Sequence, residues 1–323
     1  MSNGPAKGKA KTVMTADAFM QNELPQLAEV VSFCNNLPIS LYADMTGVKS
    51  PEVSYRGLLL SRVHGVADDY LLNARRSESD IGIVVGVNNY GLPSVQAAIA
   101  TRGVEEDEDA AISLPKPKTL RAPLGPVVRS RRSVREYKGK PVTLAELATI
   151  LFHGGGVTGE LRMPPGAETV TLGPCDQMAL RAVASGGGLY PVDLYIIATA
   201  VKDLDPAIYR YAPDLHALMP VAKAPPAEEL RNLAQFGDID PDKAAVMVAY
   251  VYKQYENARK YGDAAMGFAY MEVGGMANSM HLACTALGVG SCCIGGIAKR
   301  RFEKALRADG LSRHMIHLTV IGK

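Results

Sequence analysis

Tryptophan is absent from this chain of 323 residues, and phenylalanine occurs only six times. Cysteine is scarce and irregularly spaced. Cys34, Cys175, Cys284, Cys292 and Cys293 are odd in number and contain no C-x-x-C pair. The adjacent Cys292 and Cys293 suit neither a tetrahedral metal site nor an easy disulfide. Reduced thiols in a cytoplasmic protein are therefore expected, with no bound metal. The net charge is only +2, so no global basic field argues for nucleic acid. A long uninterrupted apolar run is also missing. The nearest approach, Ala264 to Gly290, is broken by Glu272, Asn278 and His281. Charge at mid-bilayer is costly, so this stretch reads as a buried helix and no membrane association is expected. The opening MSNGPAKGKAKT has lysines but no apolar core, which predicts a flexible basic tail over residues 1–12, not a signal peptide.

What is present is a globular composition, 47% hydrophobic and 21% charged, in a chain long enough for a substantial core. No internal repeat is visible. An acidic run at Glu105 to Asp109 leads into the proline-rich LPKPKTLRAPLGP. This is linker chemistry and predicts a boundary over residues 103–126. Residues 13–102 then form an N-terminal accessory domain, helical by pattern in LPQLAEVVSFCNNL and strand-like at Ile81 to Val87. Residues 127–323 form the second domain.

Elements are clearer in that second domain. Thr143 with Glu146 three residues on is a capping box, and Leu144, Leu147, Ala148 and Leu151 supply the apolar face of the helix it opens. Gly154 to Gly156 end that helix. Strands are predicted at Asp193 to Val201, Ala244 to Tyr252 and HMIHLTVIG. A hairpin turns at Pro213–Asp214, and AKRRFEKALRAD is a basic amphipathic helix. Helices and strands mix without regular βαβ alternation, so the fold class is α+β.

Four stretches carry candidate chemistry. RSRRSVREY gathers Arg129, Arg131, Arg132 and Arg135. In an extended segment Arg131, Ser133 and Arg135 point to one side, and a guanidinium meets a phosphate with two parallel hydrogen bonds. SGGGLYP, with Ser185, Gly186, Gly187 and Gly188, lies just before a strand, and glycines let backbone approach a flat ligand. GVGSCCIGGI lacks the G-x-G-x-x-G spacing and follows a helical pattern where a dinucleotide loop would follow a strand. A Rossmann nicotinamide site is therefore excluded, although Gly295 and Gly296 still offer backbone N–H groups. Finally, Lys260 stands between Arg259 and Tyr261. A cationic neighbour and partial burial are what make a lysine a usable base.

Taken in order, RSRRSVREY, RAVASGGGLYPVDLYII and KYG…YMEVGGMANSMHLACTALGVGSCCIGG resemble the nitroreductase-like flavoproteins. More narrowly they resemble the SagB-type azoline dehydrogenases of thiazole/oxazole-modified peptide pathways. The likeness runs from Arg129 to near the end. It implies a nitroreductase-like fold, a mixed or antiparallel sheet flanked by helices, with FMN bound at a homodimer interface. Arg131, Ser133 and Arg135 would clamp the phosphate and ribityl end, Ser185 to Gly188 would lie along the isoalloxazine, and Gly295 and Gly296 would approach its N5 edge. Lys260 and Tyr261 stand where the branch has its substrate-directed pair. Gly274, Gly275, Ala277 and Ser279 would permit close helix approach in the dimer core. The sequence departs from the family pattern at Ala184, often proline, and at Asn278, often glutamine. No basic residue for the phosphate is identified near the C-terminus, where Lys299, Arg300 and Arg301 are the substitutes on offer.

The implied activity is FMN-dependent oxidation of a thiazoline or oxazoline, on a peptide or a carrier, to the thiazole or oxazole. Two other readings stand beside it: an NAD(P)H-dependent nitro or quinone reductase, and a flavin-bound structural subunit of a cyclodehydratase complex.

Overall fold

The computed structural model describes residues 110–162 and 177–323, together with Tyr70 and Gly86. The chain divides into two compact units, Met1–Ser79 and Asp80–Lys323. The expected tail, the accessory-domain helices and the acidic run lie outside the described residues. Of the strand expected at Ile81 to Val87 only Gly86 is described, and it is helical.

The strands, in chain order, are β1 (Ile112–Ser113), β2 (Val142–Thr143), β3 (Val157–Arg162), β4 (Gln177–Arg181), β5 (Val192–Ala198), β6 (Val201–Lys202), β7 (Ala207–Ala212), β8 (Ala217–Lys223), β9 (Val246–Lys253), β10 (Gly290–Ile294) and β11 (Arg313–Gly322). The α-helices are α1 (Leu124–Ser130), α2 (Leu144–Gly155), α3 (Ala227–Arg231), α4 (Gln254–Tyr261), α5 (Ala264–Leu287) and α6 (Lys299–Ala305). Among the described residues seven strands form one sheet in the order β1-β8-β7-β5-β9-β11-β10, and every neighbouring pair is antiparallel. The α+β class is as expected. Within the segment 103–126, expected to be a linker, Ile112 and Ser113 join this sheet by pairing with Leu218 and Ala217 of β8.

β9 shows why the sheet is buried on both faces. Val246, Val248, Tyr250 and Tyr252 enter one core, while Met247, Ala249 and Val251 enter the other. This is the two-residue strand period serving two packed layers. On the first face lie α2 and α5, through Leu147, Leu151, Val273, Met276 and Met280. On the second lie Leu230 and Phe236 with Phe302 and Leu306.

The capping box forms as predicted: the Thr143 hydroxyl accepts from the Glu146 backbone N–H, and the Glu146 carboxylate accepts from the Thr143 backbone N–H. The glycines after it do more than stop α2. The helix runs through Gly155, and a Cβ on Gly154 would overlap Met280, with one on Gly155 2.9 Å from Met276 Cε. Their missing side chains set how closely α2 and α5 pack.

Lys323 Nζ donates to both Glu146 oxygens at 2.7 and 2.8 Å. Burial alone would raise the Glu146 carboxyl, but Lys323 and Thr143 together bring it below its ordinary 4.5. A depressed carboxylate stabilises the fold above the unfolded value and loses that contribution as pH falls through the folded one. Lys323→Met is therefore expected to cost on the order of 1–3 kcal/mol at neutral pH. The gap to wild type should narrow in denaturant melts as pH is lowered below 4.5. A pH-independent difference would refute this assignment.

Among the described residues no helix is long and apolar enough to cross a membrane.

Candidate active site

The loop between β4 and β5 is a tight backbone curl. Gly186–Gly188 form a single 3-10 turn in which Gly187 has φ 65°, and Gly188 follows at φ 67°. Tyr190 also sits at positive φ, 47°, where a side chain is disfavoured. The Ser185 hydroxyl holds this turn by accepting from the Tyr190 N–H at 2.9 Å, while the Tyr190 hydroxyl accepts from the Arg181 N–H at 2.9 Å. The Arg181 guanidinium lies 4.7 Å from the centre of the Tyr190 ring.

α4 brings Lys260 and Tyr261 to this curl. Buried Asn257 fixes the α4–α5 corner by accepting from the Tyr252 hydroxyl at 2.8 Å and donating to the Ala265 carbonyl at 2.9 Å. Gly262, at φ 54°, ends α4. Phe268 packs edge-on against Tyr261, centroids 4.9 Å apart, and Lys260 Nζ lies 5.1 Å from the centre of the Tyr261 ring. The decisive measure is at Gly187. A Cβ built there would lie 2.5 Å from both Lys260 Nζ and the Tyr261 hydroxyl. Two stretches some seventy positions apart in sequence thus meet at one glycine. Gly86 packs behind them, its would-be Cβ 2.8 Å from the Lys260 carbonyl.

The arginine segment lies at another level. It leaves α1 at Arg131 without regular secondary structure and is stitched to β10 by the Val134 N–H, which donates to the Ser291 carbonyl at 3.0 Å. Val134 and buried Tyr137 pack toward Gly290, whereas Ser133 and Arg135 are exposed. Among the described residues neither Arg131 nor Arg135 has a carboxylate at ion-pair distance. Beside this segment is a network that sequence reasoning missed. His281 meets the Ser291 hydroxyl at 2.6 Å and the Cys293 sulfur at 3.0 Å, and Cys293 approaches Thr319 at 3.7 Å. Burial lowers the His281 pKa, and the positive charge of Arg131 lowers it further. Burial raises the Cys293 thiol.

The stretch Gly288 to Ile297 follows α5, as expected, and within it Gly295 and Gly296 come directly after strand β10. The absence of G-x-G-x-x-G spacing still holds. The Gly295 Cβ position is open, while the Gly296 carbonyl accepts from the Gln235 N–H at 2.6 Å.

A second residue that was missed is Glu272 on α5. It is 3% exposed, and among the described residues neither carboxylate oxygen has a hydrogen-bond partner. The signal was present, since a lone carboxylate in a small, apolar helix is costly unless it has a use. Glu272 neighbours Ser185, and His281 neighbours Arg131. Nine residues of helix separate them, roughly 13 Å of rise. α5 is thus the ruler along which the two clusters are set. Of the small residues on it, Gly275 and Ala277 face this chain's own core, with Val183 Cγ1 2.7 Å from a Cβ on Gly275. Gly274 and Asn278 are exposed, as are Tyr270 and Met271.

A seven-stranded antiparallel sheet with this helix arrangement defines a class. Residues 128–323, more than half of the chain, match the Nitroreductase family. The chain belongs to that family, whose members are generally FMN-dependent oxidoreductases. It is 29% identical over 181 residues to MJ1384 of Methanocaldococcus jannaschii, a protein provisionally named a nitroreductase; the match covers 56% of this chain and 82% of that one. Among solved structures, a Ralstonia eutropha JMP134 protein, also provisionally named a nitroreductase, superimposes with TM-score 0.52 at 20% identity, over 68% of this chain and 91% of that chain. A chain of the Escherichia coli microcin synthetase McbBCD complex with truncated pro-MccB17 bound gives TM-score 0.48 at 17% identity, over 76% of this chain and 99% of that one.

Proposed function

We propose that this protein is an FMN-dependent azoline dehydrogenase, oxidising a thiazoline or oxazoline on a peptide or carrier to the aromatic azole. The observation that carries the reading is the convergence of Lys260 Nζ and the Tyr261 hydroxyl on Gly187. A base and a phenol then stand over the glycine curl.

The residues fit FMN. Arg131 and Arg135 offer guanidiniums that no described carboxylate neutralises, and Ser133 is exposed between them. Those groups would hold the phosphate and ribityl end, as bidentate donors suit a phosphate. The Ser185–Gly188 backbone, free of side chains at its positive-φ glycines, would lie along the ring, and Gly295, open at its Cβ position, and Gly296 would approach its edge. The bound flavin supplies the acceptor for a hydride from the azoline ring. Lys260 removes the ring proton that must leave with it. Tyr261, braced by Phe268, orients the ring and shares the proton transfer. The exposed α5 face at Tyr270, Met271, Gly274 and Asn278 supports a second copy of the chain as partner. A cyclodehydratase that installs the azoline is the other partner the reading calls for.

The test is direct. Purified protein is expected to be yellow and to release FMN on heating. Arg131→Ala/Arg135→Ala should lose most of that flavin, the two phosphate contacts being charge-assisted and worth about 1.5–3 kcal/mol each. A colourless protein that stays colourless after reconstitution with FMN rules the proposal out. The parent-family reading, an NAD(P)H nitro or quinone reductase, is favoured by the family match itself. It predicts that NADH bleaches the flavin rapidly with no azoline present.

A further inference from the structure

Among the described residues both carboxylate oxygens of buried Glu272 lack a hydrogen-bond partner, and so does the buried Nε of Arg181, whose charge acts on Glu272. Orphaned buried polar groups are rare and each calls for an explanation. Two of them flank the glycine curl here. The Ser185 hydroxyl and the Val192 N–H face the carboxylate without reaching hydrogen-bond geometry. The charged groups facing it are Arg181 from β4 and Lys253 from the end of β9, the latter paired with Asp193 of β5 at 2.9 Å. Lys260 and Tyr261 meet the curl at Gly187. Burial is the largest influence on Glu272 and outweighs Ser185, Arg181, Val192 and Lys253, so its carboxyl is pushed up to about 7. The group therefore changes charge near neutrality.

We infer that Glu272 is a positioning residue of the flavin loop: its carboxylate takes up the Ser185 hydroxyl when the ring is in place, and its charge acts through Ser185 on the bound isoalloxazine. This rests on the FMN reading above. Ser185 is suited to the role, since its oxygen already accepts from Tyr190 and its proton remains to be donated. A hydrogen bond to a carboxylate is stronger than one to a neutral acid. Acid should therefore loosen the loop and alkali should tighten it.

The experiment titrates the visible spectrum of the FMN-loaded protein from pH 5.5 to 8.5. The phosphate of FMN also titrates in this range, but at the far end of the cofactor from the chromophore. Wild type is expected to show a spectral step near neutrality. Glu272→Gln should abolish the step, and Glu272→Asp should restore it at a shifted pH. Ser185→Ala should flatten the step, because the hydroxyl that carries the Glu272 charge to the ring is gone; it also serves if the glutamine variant does not fold. Glu272→Ala should weaken FMN about tenfold, the worth of one hydrogen bond to a charged group. Yellow wild-type protein without a step, or a step unchanged in Glu272→Gln, overturns this inference and leaves the FMN reading intact. Protein that binds no FMN overturns both.

Discussion

Lys260→Ala is expected to lower kcat for azoline oxidation by about 10²–10⁴-fold, the usual worth of a positioned general base. The same variant should keep its flavin, because Lys260 reaches the curl by its amine tip while the proposed phosphate contacts lie at the other end of α5. Lys260→Arg separates two roles. A guanidinium keeps the positive charge but does not give up its proton. If Lys260 works as a base, arginine should be as damaging as alanine. If it only supplies charge, arginine should rescue. The measurements are kcat on an azoline peptide and the flavin-to-protein ratio from the visible spectrum. Near-normal turnover in Lys260→Ala would remove the base assignment.

Gly187→Ala should do comparable damage from the opposite side. Its φ of 65° disfavours any side chain by about 1–2 kcal/mol. Strain is the smaller part. The new methyl would stand 2.5 Å from both Lys260 Nζ and the Tyr261 hydroxyl, inside van der Waals contact, so both tips must move. A misplacement of about 1 Å costs on the order of 10²-fold in rate. Gly237→Ala is the control: its φ is 59°, and nothing lies within 4 Å of its Cβ position. It pays for the backbone alone. Steady-state kinetics with a thermal melt for each variant decides the matter. Equal activity losses in the two variants would mean that strain, not the position of Lys260 and Tyr261, sets the effect.

Local features were legible in the sequence because they are written locally. The Thr143–Glu146 box, the hairpin between β7 and β8, the buried strand β9 and the closing strand β11 each carry their period or punctuation within a few residues. Long-range contacts leave no such mark. Nothing in Gly154 and Gly155 says that they seat Met280 and Met276 as well as ending a helix. The strand character of Gly290–Ile294 was hidden behind its glycines, because its partner β11 lies beyond α6. Ile112 and Ser113 looked like linker since only β8 makes them a strand.

The site divides the same way. Residue type and order alone determined which side chains were eligible: two guanidiniums four apart with a serine midway, a serine heading three glycines, a lysine beside a tyrosine. Tertiary structure decided which of them meet. It carried Lys260 and Tyr261 to Gly187, and it buried Glu272 against Ser185 and His281 against Cys293. The physical reason is that a sequence records what each residue prefers. Distance between remote residues is set only when the sheet and α5 pack and exclude water from the space between them.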